Sequence, residues 1–102
     1  MPAAPPQYVA GHKLLEGKTA VVTAAAGTGI GYAVARRCAE EGAQVLISDI
    51  HERRLAEAAA RMEEQTGFRP PTVLCNVTDE AEVQNLIDTA IAEFGHIDVL
   101  MN

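Results

Sequence analysis

Cysteine and histidine are scarce in this chain of 102 residues, and their positions argue against a metal centre. The two cysteines, Cys38 and Cys75, each lack a second cysteine or a histidine at the spacing of metal ligands. The three histidines are scattered along the chain, so the sequence predicts no metal site. We expect two buried free thiols rather than a disulfide or a nucleophile.

Long apolar runs are also missing, and no stretch is long enough to span a bilayer. The N-terminus lacks the basic flank and apolar core of a signal peptide, so we expect a cytoplasmic protein. The formal net charge is −6, and residues 52–102 contain four arginines against ten acidic residues. This charge repels nucleic acids and anionic membranes, so we expect neither as a partner.

Apolar segments alternate between two periodicities. Short β-branched runs predict strands at residues 18–23, 44–48, 72–75 and from 99 onwards. Helical spacing predicts helices at residues 30–41, 52–65 and 79–94. We therefore predict an α/β fold, the N-terminal part (βαβαβαβ) of a Rossmann-type doubly wound parallel sheet with strand order 3-2-1-4. Residues 1–14 are predicted to form a flexible N-terminal arm, and residues 15–102 a partial nucleotide-binding domain.

Each predicted helix has an apolar face and a boundary signal. Asp79 is the expected N-cap of the third helix, with Thr78 as the alternative and Glu82 as its capping partner. Glycines mark the three C-terminal ends. The predicted apolar faces are Ile30, Val34 and Cys38; Leu55, Ala58, Ala59 and Met62; and Val83, Leu86, Ile87, Ala90, Ile91 and Phe94.

A glycine-rich turn lies between the first predicted strand and helix. A helix N-terminus binds phosphate through unpaired N–H groups and its dipole, and side chains would block that approach. Gly27, Gly29 and Gly31 can supply a tight turn, close approach to a pyrophosphate and close helix–strand packing. Ile30 is expected to pack under the turn as core. No Gly-Lys-Ser/Thr follows, which excludes a Walker-type phosphate loop.

Asp49 ends the second predicted strand, 18 residues after Gly31. A carboxylate there can accept hydrogen bonds from ribose hydroxyls and repels a 2′-phosphate, which favours NAD over NADP. His51, Arg53 and Arg54 follow closely and could offset that repulsion. The alternative is that Asp49 caps the next helix.

Several motifs together resemble the short-chain dehydrogenase/reductase family. They are Leu15-x-Gly17-Lys18, Val21-Val22-Thr23, Gly29-Ile30-Gly31, Asp49, Cys75-Asn76-Val77-Thr78-Asp79 and Ile97-Asp98-Val99-Leu100-Met101-Asn102. The resemblance runs from about Leu15 to the last residue and covers the N-terminal part of the family's fold. Residues 22–31 and 48–55 look most like actinobacterial reductases of steroid-ring degradation, which act on a hydroxy/oxo-hydrindane carboxyl-CoA intermediate.

The resemblance implies an NAD(H)-dependent oxidoreductase that moves hydride between nicotinamide and a carbonyl or secondary alcohol. Asp49 would bind the adenosine ribose, Asn76 and Val77 would flank the adenine, and Asn102 would lie near the cofactor. The pyrophosphate region would be held by Gly27, Thr28, Gly29, Ile30 and Gly31, and Thr23 would be a further cofactor-binding residue. A homo-oligomer and a small carbonyl or alcohol substrate are implied for the full-length protein.

This sequence departs from the family pattern at two positions. The glycine expected after Thr23 is alanine, at Ala24 or Ala25, and alanine does not readily adopt a positive φ. We expect Gly27 to take over the turn. Asn76 replaces the usual aspartate, and an amide can both donate to and accept from adenine nitrogens.

The Ser, Tyr and Lys that the family uses for catalysis are expected beyond residue 102, so no catalytic residue is assigned. Tyr8 lies in the arm and Tyr32 begins the first helix, where surface packing is expected. The isolated chain is expected to be inactive and to aggregate. Two alternatives stay open: a non-catalytic nucleotide-binding module, or the start of an S-adenosylmethionine-dependent methyltransferase. The latter fold usually has an acid where Thr23-Ala24 stands here.

Overall fold

A computed structural model describes residues 10–25 and 29–101, in which strands and helices alternate. The strands are β1 (Thr19–Val22), β2 (Gln44–Asp49), β3 (Thr72–Leu74) and β4 (Val99–Met101). The helices are α1 (Ile30–Glu40), α2 (Glu52–Thr66) and α3 (Glu80–Phe94). The alternation predicted from periodicity is confirmed.

The four strands form one parallel sheet in the order β3-β2-β1-β4. Val21 of β1 pairs with Leu46 of β2 on one side and with Leu100 of β4 on the other. At the far edge, Asp49 of β2 pairs with Leu74 of β3. The Rossmann-type doubly wound arrangement predicted from the sequence is therefore confirmed. Its central strands, β1 and β2, are covered on both faces, which is why they read as continuous apolar runs.

Alternate residues of the central strands contribute to two separate cores. Ala20, Val22 and the matching residues of β2 pack against α1 and α2. Val21 and Leu46 face the other way and pack with Leu86 and Ala90 of α3. The smaller core is only partly closed, because Val99 is 38% and Leu100 is 52% exposed. The edge strand β4 thus exposes apolar side chains.

The apolar face of α2 is as predicted, whereas the face of α1 is not. Leu55, Ala58, Ala59 and Met62 are all buried. In α1 the prediction that Ile30 belongs to the core is wrong, because Ile30 is 77% exposed. A spacing of four residues drifts about 40° per step around a helix, which turns Ile30 away from the face that Cys38 occupies.

Tyr32 belongs to the interface between α1 and α2. It is buried, its hydroxyl donates to Gln65, and the guanidinium of Arg61 lies 4.1 Å from the centre of its ring. The expectation of a surface position for Tyr32 is therefore wrong. A tyrosine buried in this way packs its ring and still pairs its hydroxyl, which fits a structural role.

The ends of the helices follow the predicted signals. Asp79 is the N-cap of α3, and its carboxylate accepts from the main-chain N–H groups of Ala81 and Glu82. Thr78 is therefore not the cap. The stripe of α3 is buried at Leu86 and Ala90, whereas Ile91 is 47% exposed. Left-handed glycines follow the helices at Gly42, Gly67 and Gly95.

The segment that precedes β1 is held against the end of α1. The main-chain N–H of Leu15 donates to the carbonyl of Glu41, and the main-chain N–H of His12 donates to the buried side-chain carboxylate of Glu41. Arg37 pairs with the same carboxylate at 3.0 Å. Residues 10–14 of the predicted arm are thus in contact with the domain, and residues 1–9 lie outside the described part. No helix in the described residues is both long and apolar enough to cross a bilayer.

Candidate functional site

The carboxyl ends of the parallel strands meet at one edge of the sheet. Thr23 and Ala24 follow β1, Asp49 ends β2, and Asn76 is the second residue after β3. The N-terminus of α1 lies at the same edge. Ligands of open α/β sheets bind in this position. The fold therefore gathers the described members of the predicted site; Gly27, Thr28 and Asn102 lie outside the described residues.

The first turn of α1 contains no acidic residue, unlike the first turns of α2 and α3. Gly29 is the N-cap of α1 and makes no side-chain cap hydrogen bond. By contrast, α2 begins with Glu52, and α3 has both Asp79 and two acids in its first turn. The first N–H groups of a helix have no partner within the helix, and together with the positive end of the helix dipole they can hold an anion.

Two glycines at this helix start have different environments. A Cβ added to Gly29 would meet no atom of residues 10–25 or 29–101 within 4 Å. A Cβ added to Gly31 would lie 2.6 Å from the carbonyl oxygen of Ala24, which is too close for any other residue. Gly31 therefore permits the close packing of α1 on the β1 turn, whereas the absence of a side chain at Gly29 leaves the helix end open.

Ala24 adopts the conformation that a glycine would normally supply. Its φ is +52°, in the left-handed region. Ala24 itself therefore takes the positive φ, and the expectation that Gly27 takes over the turn falls on a residue outside the described part of the chain. The next residue is held by the sheet, because the N–H of Ala25 donates to the carbonyl of Ser48 at 3.0 Å.

The carboxylate of Asp49 is held at the end of β2. Its Oδ1 accepts from the main-chain N–H groups of Ile50 at 2.7 Å and His51 at 3.2 Å. The N-cap of α2 is His51, which makes no side-chain cap hydrogen bond. Both of these N–H donors to Asp49 lie before the first residue of α2, Glu52. Arg53 pairs with Glu57 along α2 at 3.1 Å.

A small cavity of about 130 Å³ lies between the ends of β1, β2 and β3. It places Asp49 and Asn76, which are far apart in sequence, on one wall of a shared space. Its lining consists of Ala24, Asp49, Ile50, Cys75, Asn76 and Val77. Sequence reasoning missed Ile50 and Cys75 as lining residues, because the motif that flags the site marks only polar and glycine positions.

A second cavity of similar size lies on the α3 side of β1. It is almost wholly apolar and is lined by Thr23, Val77, Val83, Leu86, Ile87 and Leu100. Thr23 lies at its rim, with its hydroxyl donating to the carbonyl of Met101 at 3.3 Å. Val77 lines both cavities, whereas Thr23 lines only this one.

The loop after β3 is fixed by α3. Asn76 donates its main-chain N–H to Glu82 at 3.2 Å, and its carbonyl accepts from the N–H of Asp79 at 3.0 Å. Glu82 therefore does not complete a reciprocal capping box, as the sequence suggested, but holds the loop that carries Asn76. The acidic residue in the first turn of α3, which suggested a capping box, was also the sequence signal for its contact with Asn76.

The two cysteines are free and buried, as predicted. Burial raises the pKa of the Cys38 thiol. Burial also raises the pKa of the Cys75 thiol, and the negative charge of Glu82 adds to the effect. Both thiols are therefore poor nucleophiles. Within residues 10–25 and 29–101, no group of three or more His, Cys, Asp or Glu side chains is arranged to hold a metal ion.

The parallel sheet, its order and the open start of α1 define an α/β protein of the Rossmann type. A family model described as enoyl-(acyl carrier protein) reductase, of the short-chain alcohol dehydrogenase type, matches residues 24–102. This chain belongs to the short-chain dehydrogenase/reductase family, a family of oxidoreductases.

Individual relatives agree with that assignment. The chain is 56% identical over 97 residues to a (5R,7aS)-5-hydroxy-7a-methyl-1-oxo-2,3,5,6,7,7a-hexahydro-1H-indene-carboxyl-CoA reductase of Mycobacterium tuberculosis, covering 95% of this chain and 37% of that protein. It is 49% identical over 84 residues to a cis-4-hydroxycyclohexanecarboxylate dehydrogenase of Sinomonas cyclohexanicum, covering 82% of this chain and 32% of the relative.

A solved short-chain dehydrogenase from Mycobacterium smegmatis superposes with a TM-score of 0.89 at 47% identity, covering 97% of this chain and 41% of that one. The chain thus spans about two fifths or less of the proteins it matches. The resemblance to actinobacterial reductases of steroid-ring degradation is confirmed by the Mycobacterium tuberculosis relative.

Proposed function

We propose that this chain is the cofactor-binding part of an NAD(H)-dependent oxidoreductase. The whole protein would transfer hydride between a nicotinamide and a carbonyl or secondary alcohol. The observation that carries the proposal is the start of α1, which lacks both a cap and an acid and lies at the same sheet edge as Asp49. An anion and a ribose are the two groups that such a pair recognises.

The described residues fit a dinucleotide in a consistent order. The N–H groups at Gly29 to Gly31 would hold the pyrophosphate, and Asp49 on the neighbouring strand would accept from the ribose hydroxyls. Since β3 lies beyond β2 in the sheet, the base would reach the cavity next to Asn76 and Val77. When bound, the nicotinamide supplies the hydride; these residues orient the molecule that carries it. The predicted roles of Gly27, Thr28 and Asn102 remain part of this proposal.

The named relatives support a substrate class. One is named for a hexahydroindene carboxyl-CoA and another for a hydroxycyclohexanecarboxylate, both with an oxygen on a non-aromatic carbon ring. We propose a steroid-derived or other alicyclic carboxylate, free or as a CoA thioester, as the substrate of the whole protein. A cytoplasmic homo-oligomer is proposed with it. Membership in this family leaves the methyltransferase alternative without support, and residues 1–102 alone are proposed to be inactive.

The phosphate role can be tested by comparing two glycines of the same turn. Gly29→Ala should change the melting temperature little, because the added methyl group meets no atom of the described residues within 4 Å, and should raise the Kd for NAD⁺ about tenfold. Gly31→Ala should lower the melting temperature, because overpacking against Ala24 costs about 1–3 kcal/mol. Calorimetric titration and thermal unfolding of the full-length protein measure both.

An unchanged Kd for NAD⁺ in Gly29→Ala would contradict phosphate binding at this helix end. Titration with S-adenosylmethionine in place of NAD⁺ provides the comparison of ligand class, and binding of S-adenosylmethionine alone would contradict an oxidoreductase cofactor site.

The choice of NAD over NADP can be tested at Asp49. Asp49→Ser removes the charge that repels a 2′-phosphate and a charge-assisted acceptor worth about 1.5–3 kcal/mol. Affinity for NAD⁺ should fall and that for NADP⁺ should rise. Glu52→Ser is the control, because it removes one negative charge at an exposed position three residues further along the chain. It should leave the ratio of the Kd values for NAD⁺ and NADP⁺ nearly unchanged. A wild-type protein that binds NADP⁺ more tightly contradicts the proposal.

A further inference from the structure

The strand β3 lies at one edge of the sheet, and β2 is its neighbour among the described strands. In a parallel ladder, a residue bonds to both neighbours of its register partner. The Pro71 carbonyl and the Cys75 N–H accordingly bond to β2 at 3.1 Å each. The main-chain groups of Thr72 and Leu74 therefore point to the outer edge, where Thr72 is exposed and Leu74 is 45% exposed.

The doubly wound topology keeps this edge free. In that strand order, later strands add on the far side of β4, so β3 stays at the edge of the sheet. An edge strand is a template for pairing with another chain unless charged side chains or proline within the strand prevent it. The three residues of β3, Thr72, Val73 and Leu74, include neither. This edge can therefore pair with a further strand.

The outer edge of β3 is complementary to a second copy of itself. When a two-fold axis passes through Val73 of two copies, their β3 strands run antiparallel, and Thr72 of one copy lies opposite Leu74 of the other. Both residues present outward main-chain groups, so each such pair exchanges both of its hydrogen bonds.

Neighbouring residues disfavour the other antiparallel registers. An axis at Thr72 places Leu74 opposite Pro70, which has no N–H to donate. An axis at Leu74 places Thr72 opposite Asn76, whose main-chain N–H and carbonyl already bond to the first turn of α3 and its N-cap. The axis at Val73 thus uses every outward group of the strand.

An open groove beside β3 can receive the exposed leucine of a second copy. The groove has a volume of about 510 Å³, and its lining includes Thr72, Phe68 and Phe94. Residues directly opposite in antiparallel strands have neighbouring side chains on one face, so Leu74 of one copy lies next to Thr72 of the other and at this groove. The apolar contact adds to the few hydrogen bonds that a strand of three residues supplies.

The charges at the two ends of β3 have opposite signs. Arg69 precedes the strand, is exposed and pairs with Glu63 at a distance of 3.8 Å. Asp79 and Glu80 follow the strand and are also exposed. Antiparallel pairing brings the start of one β3 to the end of the other, so Arg69 of each copy approaches the acids of its partner. This complementarity favours a second copy of the chain as the occupant.

We propose that β3 joins two copies of this protein in one continuous sheet, with a two-fold axis at Val73. The inference rests on the proposed homo-oligomer and assigns a contact surface to it. Each copy contributes the outward main-chain groups of Thr72 and Leu74 and receives the Leu74 side chain of the other copy in its groove.

Disulfide trapping of the full-length protein tests the position of the axis. Residues that face each other in a non-hydrogen-bonded antiparallel pair have Cα atoms about 4.5 Å apart, within the span of a disulfide. Val73→Cys should therefore convert most of the protein into a cross-linked dimer on mild oxidation. Thr72→Cys is the matched control, because its side chain is more exposed but its copy lies two residues along the paired strand, beyond the reach of a disulfide. The native cysteines are buried, so the wild-type protein should stay free of cross-links.

A charge at the same edge tests the contact without a cross-link. Leu74→Lys places an ammonium group at the apolar groove of the other copy and should halve the mass of the full-length protein in sedimentation. Leu14→Lys is the control, since it makes the same exchange at a leucine that is 72% exposed and precedes β1. It should leave the mass unchanged, and both variants should keep the circular dichroism spectrum of the wild type.

The outcomes separate the contact from the assembly on which it rests. An oligomer that keeps its mass in Leu74→Lys, or that cross-links no better in Val73→Cys than in Thr72→Cys, overturns the β3 contact and leaves the proposed homo-oligomer standing. A monomeric wild-type protein contradicts the homo-oligomer and the inference together. The dinucleotide titrations at Gly29 and Asp49 test the proposed cofactor site independently of both.

Discussion

Ala24 holds a backbone conformation that most residues avoid, and it does so at the turn where the sheet meets α1. A left-handed φ costs an L-residue about 1–2 kcal/mol. The turn keeps this conformation because the residues on either side are fixed: Thr23 bonds to Met101, and Ala25 bonds to Ser48. The strain belongs to one residue and is separate from the open helix end at Gly29.

Ala24→Gly should stabilise the protein by about 0.5–1 kcal/mol, since glycine adopts a positive φ freely and the relief outweighs its greater entropy in the unfolded chain. Ala25→Gly is the matched control: Ala25 is fully buried and has no positive φ. That change should destabilise the protein by about 1 kcal/mol. Urea unfolding measures both, and a loss of stability in Ala24→Gly would contradict the strain.

At the scale of secondary structure, α1 differs from the other helices at both ends. Its start is open to an anion, and its end binds the segment that leads into β1. The second feature depends on Glu41, a buried residue whose carboxylate accepts from the N–H of His12 and pairs with Arg37. The His12 hydrogen bond and the Arg37 charge lower the pKa of the Glu41 carboxyl, against the opposing effect of burial.

A lowered pKa in the folded state means that the Glu41 carboxylate stabilises the protein above its unfolded pKa of about 4.3. The stabilisation is lost as the pH falls through the lower folded value. Glu41→Gln should therefore be less stable than wild type at neutral pH, and the difference should shrink on acidification. Glu40→Gln removes the same charge from a longer pair with Arg36, at 3.6 Å, and should have a smaller effect. Denaturant midpoints across pH measure it; a constant Glu41→Gln difference would contradict the linkage.

The helices show how well the spacing of apolar residues predicts which helix face is buried. The face of α2 was predictable in full, since its four apolar residues follow the helical repeat and all are buried. The face of α1 was not, because glycine, alanine and tyrosine leave a weak apolar pattern. Ile30 was predicted to lie in the core but is exposed, and Tyr32 was predicted to lie at the surface but is buried. Burial at a helix start depends on where the helix axis meets the sheet, which local spacing does not determine.

For the whole molecule, one face of the sheet is covered by two helices and the other is covered only in part by α3. One core joins α1 and α2 to β1 and β2, whereas the core under α3 leaves Val99 and Leu100 partly exposed. An exposed apolar strand at a sheet edge favours association between chains. The matched relatives are more than twice as long as this chain.

Residues 1–102 produced alone should therefore aggregate and should show no hydride transfer from NADH to an alicyclic ketone. The physical reasons are the exposed β4 edge and the absence, among the described residues of the site, of a tyrosine to act as acid or base. Light scattering after size-exclusion chromatography and absorbance at the NADH band measure the two. A monodisperse monomer with a sharp thermal transition contradicts the first expectation, and turnover contradicts the second.

The sequence by itself determined the order of strands and helices, the parallel sheet and the family, because these follow from periodicity, glycine positions and motifs that are local in the chain. It also predicted that Asp49 and Asn76 belong to one site, and both residues line the same cavity. Only the tertiary structure decided that Ala24 bears the positive φ and that Glu82 holds the Asn76 loop. Those properties depend on which atoms face one another across turns and between elements, and the spacing of residue types carries no information about that.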